Sequence, residues 1–106
     1  MPIKFSLVVP TYNEAENLLK LYEKIIPCLD SLPFDSEIIV VDDNSPDRTW
    51  KVAEDLAGQD KRIKVIRRIK QRGLASAVVS GWAVAQGEIL GVIDADLQHS
   101  PEVLAE

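Results

Sequence analysis

The sequence predicts an α/β domain built on a doubly wound, mostly parallel sheet, and three observations carry that prediction. Short β-branched and apolar runs alternate with stretches of helical period along the whole chain. A βαβαβαβ order implies a right-handedly wound sheet with helices on both faces. The chain has 106 residues, 46% of them hydrophobic, enough for the core of one domain.

The elements follow in order. "FSLVV" (5 to 9) is an apolar run ended by Pro10, a first strand. "NEAENLLKLYEKIIPCLD" repeats apolar residues at Leu18, Leu19, Tyr22, Ile25, Ile26 and Leu29, the helical period. Asn13 with Glu16 three residues on reads as a capping pair, and Pro27 is expected to kink or shorten the last turn. "EIIVVDD" (37 to 43) is a second strand ending in acids. Trp50, Ala53, Leu56 and Ala57 then share one helical face, with Gly58 as the stop. "RIKVIR" (62 to 67), alternating and less apolar, suits an edge strand. "GLASAVVSGWAVAQG" is a helix of small residues, in which Ala75, Ser76, Ala77, Ser80 and Gly81 let the backbone lie close to the sheet. "EILGVI" is the fourth strand, and Ser100 with Pro101 look like the N-cap and first position of another helix.

Composition narrows the function classes. No run approaches the roughly 20 apolar residues that span a bilayer, and "MPIKFSLVV" is interrupted too early to be a signal peptide. The chain is therefore expected to be soluble. The lone Cys28 excludes an internal disulfide framework and a cysteine-based zinc site, and reads as a small core residue in a reducing compartment. A net charge of −5 argues against nucleic acid as a partner. Seven of the twelve basic residues nonetheless fall between Lys61 and Arg72. That cluster is either a solvated edge and loop or a surface facing phosphate or anionic lipid headgroups.

Sheets of this kind bind ligands at the carboxyl ends of their strands, near the point where strand order reverses. Three strand ends carry unusual polar residues: Pro10-Thr11-Tyr12-Asn13-Glu14, Asp42-Asp43-Asn44-Ser45 and Asp94-Ala95-Asp96. In the spatial order 3-2-1-4 all three meet on one rim. Such a rim repels anions unless a cation is present, and hard oxygen ligands in an open site favour Mg²⁺ or Mn²⁺ completed by substrate phosphate. Tyr12 could stack on a base, one carboxylate could accept from a base or ribose, and another could hold the metal. Each motif alone also has a bland reading. A D-x-D pair arises by chance, and Asp43 could cap the following helix.

The stretches "VVPTYNEAENL", "IIVVDDNSPDRTW", "RRIKQRGLASAVVSGWAVAQGEIL" and "VIDADLQHSPE" closely resemble the N-terminal half of the polyprenyl-phosphate sugar transferases, above all the dolichyl-phosphate mannose group, within the large second family of inverting glycosyltransferases. The resemblance covers nearly the whole chain and implies a truncated GT-A-like, Rossmann-type fold, a nucleotide-sugar donor and a divalent cation, Mg²⁺ or Mn²⁺. It implies transfer of a sugar, with GDP-mannose favoured as donor, to a dolichyl or polyprenyl phosphate with inversion. UDP-glucose-type transfer is the nearest competitor. It places Pro10, Tyr12 and Glu14 at the nucleotide, Val41 and Asp43 around the base, and Asp94, Ala95 and Asp96 at the ribose and diphosphate. Asp94, Asp96 and Gln98 would serve the metal, with Asp96 the catalytic residue, while His99 suits softer metals and Asp42 is structural. Arg48 stands where the wider family commonly has glycine, and Ser100 where it often has proline.

The resemblance also implies a cytoplasmic location, peripheral at the cytoplasmic face of a membrane, and acceptor-binding residues beyond residue 106. On that reading residues 1 to 106 are the nucleotide-sugar-binding part of a transferase domain and do not transfer sugar alone. A nucleotide-binding module without activity is the competing reading. A phosphate-accepting receiver module fits poorly, since its acids belong after the first strand, which here ends in "PTYNE". The fourth strand is expected to be a bare apolar edge, pairing two copies of the chain through residues 89 to 93. The basic segment 61 to 72 is expected to face solvent and to be dispensable for folding.

Overall fold

A computed structural model describes residues 3–69 and 73–93. Its elements are β1 (Phe5–Thr11), α1 (Ala15–Asp30), β2 (Ser36–Asp42), α2 (Thr49–Gln59), β3 (Ile63–Arg67), α3 (Leu74–Val84) and β4 (Ile89–Val92). The four strands form one sheet in the order β3-β2-β1-β4, and every pairing is parallel. The order expected from the sequence is therefore the observed one. It reverses at β1, whose carboxyl end becomes the natural ligand side.

Alternation along the strands splits the core into two layers. Leu7 and Val9 of β1 and Ile38 and Val40 of β2 face Leu18, Leu21, Ile25 and Leu29 of α1 and Ala53 and Leu56 of α2. Val8, Ile39 and Val41 point the other way, onto Ala77 of α3. Because both faces are covered, β1 and β2 are continuous apolar runs. The small residues of α3 allow a close approach: a Cβ on Gly81 would lie 2.7 and 2.9 Å from the two γ carbons of Val8. Ala77 and Gly81 are the buried members of that stripe, whereas Ala75 and Ser76 are exposed.

Several local expectations are corrected. The first strand does not stop at Pro10 but continues to Thr11, with Pro10 paired to Val41. The β4 pairing covers only Phe5 to Val8, so the missing proline N–H falls where β1 is paired on one side. Pro27 does not end α1. The helix runs on to Asp30, closed by the Ser31 N–H on the carbonyls of Pro27 and Cys28. Leu19, counted on the apolar face, is exposed, and Leu21 takes its place in the core. Gly58 lies inside α2, which ends one residue later.

The amino ends of the strands hold an unexpected buried carboxylate. Glu37, 1% exposed, accepts from Ser6 Oγ (2.6 Å) and from the backbone N–H of Gln86 (2.7 Å), and Lys64 Nζ stands 2.6 Å from its other oxygen. Ser6 Oγ in turn accepts from Gly87 N–H at 2.8 Å. A Cβ at Gly87 would sit 2.6 Å from Ser6 Oγ and 2.7 Å from its backbone nitrogen, so only glycine fits this turn. This knot ties the α3–β4 connection to β1, β2 and β3.

Candidate functional site

The loops after β1 and β2 are built as one unit. Asp42, fully buried, accepts from Thr11 Oγ1 at 2.6 Å, from Ser45 Oγ at 2.6 Å and from Ser45 N–H at 2.9 Å. Ser45 Oγ also accepts from Asn13 N–H at 2.9 Å. The Asp43 N–H donates to Thr11 O at 3.1 Å, which continues the pairing of the strands into the loops. All of the Asp42 oxygens are thus spent on backbone and hydroxyl partners. The expected structural role of Asp42 is the observed one.

A second carboxylate fixes the start of α1. Asp47 Oδ2 accepts from Ala15 N–H at 3.2 Å, its Oδ1 accepts from Thr49 N–H at 3.0 Å and from the Thr49 hydroxyl, and Thr49 Oγ1 accepts from Glu14 N–H at 2.9 Å. Burial pushes the Asp47 carboxyl up. The bonds from the Thr49 hydroxyl and the N–H groups of Ala15 and Thr49 outweigh that and hold it below the ordinary 3.8. The expected Asn13–Glu16 capping pair is not formed. Asn13 is left-handed (φ 55°), Glu14 is the N-cap residue without a side-chain cap, and the donors of the first turn go to Asp47 and Thr49 across the rim. Asn44 (φ 55°) and Arg48 (φ 64°) are also left-handed, and at Arg48 a glycine would enter that region without strain.

Asp43 does not cap α2. Its Oδ1 accepts from Arg68 Nε at 2.7 Å, and its Oδ2 accepts from Arg68 Nη2 and from Gly73 N–H, each at 3.0 Å. Asp43 and Arg68 are each 7% exposed. Arg68 also donates from Nη1 to Ser80 Oγ (3.3 Å), from Nη2 to Gly73 O (3.2 Å) and from its backbone N–H to Asp42 O (2.7 Å). One guanidinium therefore joins the ends of β2 and β3 to the start and middle of α3. Gly73, at φ 120°, holds a backbone conformation that side-chain-bearing residues rarely adopt.

The basic segment consequently does not face solvent as a whole. Arg62 is engaged with Asp60 and Asp30, Lys64 with Glu37, and Arg68 with Asp43. Arg67 is exposed, stacks on Trp50 with its guanidinium carbon 3.8 Å from the ring centroid, and donates to Asn44 Oδ1 at 2.8 Å. Arg48 stands 5.4 Å from the same centroid. The premise of the dispensability expectation, charge that faces solvent, does not hold at Arg68, where a buried charge cannot be stripped of its partner cheaply.

The nucleotide-side residues named from the sequence fall into two groups. Tyr12, 40% exposed, and the half-buried Glu14 border the joined loops, with Glu14 Oε2 accepting from Asn17 Nδ2 at 2.9 Å. Pro10 and Val41 are buried side chains paired in the sheet, and Val41 packs on the α3 side of the core. Asp94, Ala95, Asp96, Gln98, His99, Ser100 and Pro101 lie outside the described residues, as do Lys70 and Arg72. Among the described residues no group of three or more His, Cys, Asp or Glu could hold a metal ion, and no helix is long and apolar enough to cross a membrane. Asp47, Thr49, Arg68 and Gly73 had no assigned place at the rim. The turn-forming run "NSPDRT" is the signal that could have found the first two.

Comparison with known proteins follows the same geometry. The dolichol-phosphate mannosyltransferase of Pyrococcus furiosus is 51% identical over 102 residues, covering 96% of this chain and 28% of that protein. The dolichol-phosphate mannosyltransferase of Saccharomyces cerevisiae is 38% identical over 105 residues, covering 98% of this chain and 39% of that protein. The chain thus spans between about a quarter and two-fifths of these relatives' length. A mannosyltransferase from Pyrobaculum calidifontis, solved in complex with GDP-Man and Mn²⁺, superposes with a TM-score of 0.81 at 28% identity, over 99% of this chain and 32% of that one. The sheet order and this likeness make the fold GT-A-like. The sequence profile of glycosyl transferase family 2 matches residues 6–106, and the chain belongs to that family.

Proposed function

We propose that this chain is the donor-binding part of a glycosyltransferase that moves mannose from GDP-mannose to a dolichyl or polyprenyl phosphate with inversion. The observation that carries the reading is the convergence of the β1 and β2 ends on one rim, where Tyr12, Glu14 and Asp43 stand over loops locked by Asp42, Asp47 and Arg68. Relatives named dolichol-phosphate mannosyltransferase, and a structural neighbour in complex with GDP-Man and Mn²⁺, support that choice of donor. Pro10, Tyr12, Glu14, Val41 and Asp43 would border the nucleotide, with Asp94, Ala95 and Asp96 at the ribose and diphosphate.

In the proposed reaction a lipid-phosphate oxygen bonds to the anomeric carbon as the carbon–oxygen bond to the nucleoside diphosphate breaks. The nucleophile is already ionised at neutral pH, so the chain has no proton to remove. Its residues bind and align the donor. A divalent ion, Mg²⁺ or Mn²⁺ held by Asp94, Asp96 and Gln98, would neutralise the departing diphosphate. An amide carbonyl beside two carboxylates is a hard oxygen set that suits such ions.

Peripheral association with the cytoplasmic face of a membrane fits a lipid-phosphate acceptor, with exposed Arg67 and Ile69 as the described surface nearest to that chemistry. Self-association through 89 to 93 is supported by a β4 edge on which Ile89, Leu90 and Val92 are 47%, 45% and 39% exposed. Calorimetric titration with GDP and UDP, each with Mn²⁺ or Mg²⁺ and again with excess chelator, tests the core of the proposal. GDP binding that disappears with chelator is expected. Absence of nucleotide binding, or equal binding with chelator, contradicts it.

A further inference from the structure

We infer that Arg68 is the positioning residue that makes Asp43 a single-acceptor probe for the base. The inference rests on the proposed nucleotide site and goes beyond it to how the base is read. A carboxylate offers about four acceptor sites, and its terminal torsion is broad, so an unheld aspartate presents no fixed geometry. Here three sites are occupied. Arg68 takes one on each oxygen in a fork, Nε on Oδ1 at 2.7 Å and Nη2 on Oδ2 at 3.0 Å, and Gly73 N–H takes the second on Oδ2. Among the described residues Oδ1 accepts from Arg68 Nε alone, which leaves one acceptor direction in a fixed plane. That is the complement of one ring N–H, the group that guanine carries at N1 and uracil at N3.

The same fork sets the charge. Asp43 is 7% exposed, and a buried carboxylate next to Asp42 and a bound diphosphate would be repelled by both. The guanidinium fork offsets that repulsion while holding the carboxylate plane. Arg68 itself is held by Ser80 Oγ, Gly73 O and the Asp42 carbonyl, so the orientation of Asp43 is set by three elements. A lysine would supply the charge without the fork. It would therefore leave Asp43 free to turn.

The test compares GDP and UDP with their N1- and N3-methylated forms, which lack only the ring N–H. Association constants would be measured by calorimetry with Mg²⁺ for the unmodified protein, Arg68→Lys and Arg68→Met. Circular dichroism would confirm the fold of each variant. The unmodified protein is expected to prefer the unmethylated nucleotide by about tenfold or more, as a hydrogen bond to a charged group gives. In both variants that preference is expected to fall below about twofold, while binding of the methylated form changes little. A merely structural role would weaken both forms alike. If Arg68→Met does not fold, the charge-retaining Arg68→Lys carries the comparison alone. Full preference retained in a folded Arg68→Lys, or no preference in the unmodified protein, overturns the inference and leaves the nucleotide site standing. No binding of any nucleoside diphosphate overturns the site itself.

Discussion

Replacing Glu37 by alanine tests the knot that fastens the α3–β4 turn to the sheet. The substitution leaves two donors, the buried Ser6 Oγ and the part-buried Gln86 N–H, without the acceptor they reach at 2.6 and 2.7 Å. Each lost partner costs about 1–3 kcal/mol. Lys64, 39% exposed, turns to water and adds little. The expected loss is therefore about 2–6 kcal/mol, a large share of the roughly 5–15 kcal/mol that holds a domain together. Glu37→Gln keeps one carbonyl for the same donors and should lose less, about 1 kcal/mol. The pH dependence gives an independent reading. Burial pushes the Glu37 carboxyl up, but the Gln86 N–H, the Lys64 ammonium and the Ser6 hydroxyl outweigh it and hold it below the ordinary 4.5. A depressed folded value means the contribution is present above 4.5 and is lost as pH falls through the folded value. Urea unfolding at pH 7, and across the acid range below 4.5, should show a steeper decline for the natural sequence than for Glu37→Gln. Glu37→Ala within about 0.5 kcal/mol of the natural sequence, or identical acid slopes, would refute the reasoning.

Other perturbations separate packing from charge. Gly81→Ala gains about 1 kcal/mol of helix propensity but drives a Cβ to within 2.7 Å of Val8, a stiff, fully buried β-branched residue, so a net loss of about 1–2 kcal/mol is expected in urea unfolding. A stabilised variant would show that α3 can lift from the sheet. Arg67→Gln should cost at most about 1 kcal/mol, whereas Asp43→Ala, which strands the buried Arg68, should cost about 3–5 kcal/mol; equal effects would contradict the assignment of these two arginines. Leu90→Lys, on the exposed β4 edge, should shift the chain toward monomer in sedimentation velocity. A strictly monomeric natural chain at millimolar concentration would remove self-association.

The strand order was legible because apolar runs alternating with helical stretches leave few parallel arrangements, and it placed the β1 and β2 ends together as Asp43 N–H on Thr11 O shows. The structural role of Asp42 came with the family resemblance, and its bonds to Thr11 and Ser45 fit it. What local patterns could not show were partners distant in sequence. The first donors of α1 go to Asp47 and Thr49, more than thirty residues on, so the Asn13–Glu16 spacing misled. Charge density alone made Arg68 one of seven similar cations, although its side chain is buried on Asp43, 25 residues away. Glu37 read as the first residue of an apolar strand, and its partners Ser6, Lys64 and Gln86 come from three other segments. Asp94, Asp96 and Gln98, on which the metal reading depends, stand outside the described residues.

The central claim is that the nucleotide sits at the carboxyl ends of β1 and β2. The amino ends offer a natural rival, a groove of about 400 Å³ bordered by Lys61, Arg62 and Lys64 together with Asp30, Asp35 and Glu37. Backbone amide shifts recorded while GDP and Mg²⁺ are added to the isotope-labelled protein distinguish the two. The account predicts shifts concentrated at Tyr12, Asn13, Glu14, Asp43, Asn44 and Gly73, with the amides of Asp35, Lys61 and Lys64 unmoved. Shifts confined to the amino-end groove, or none at saturating GDP, would contradict it.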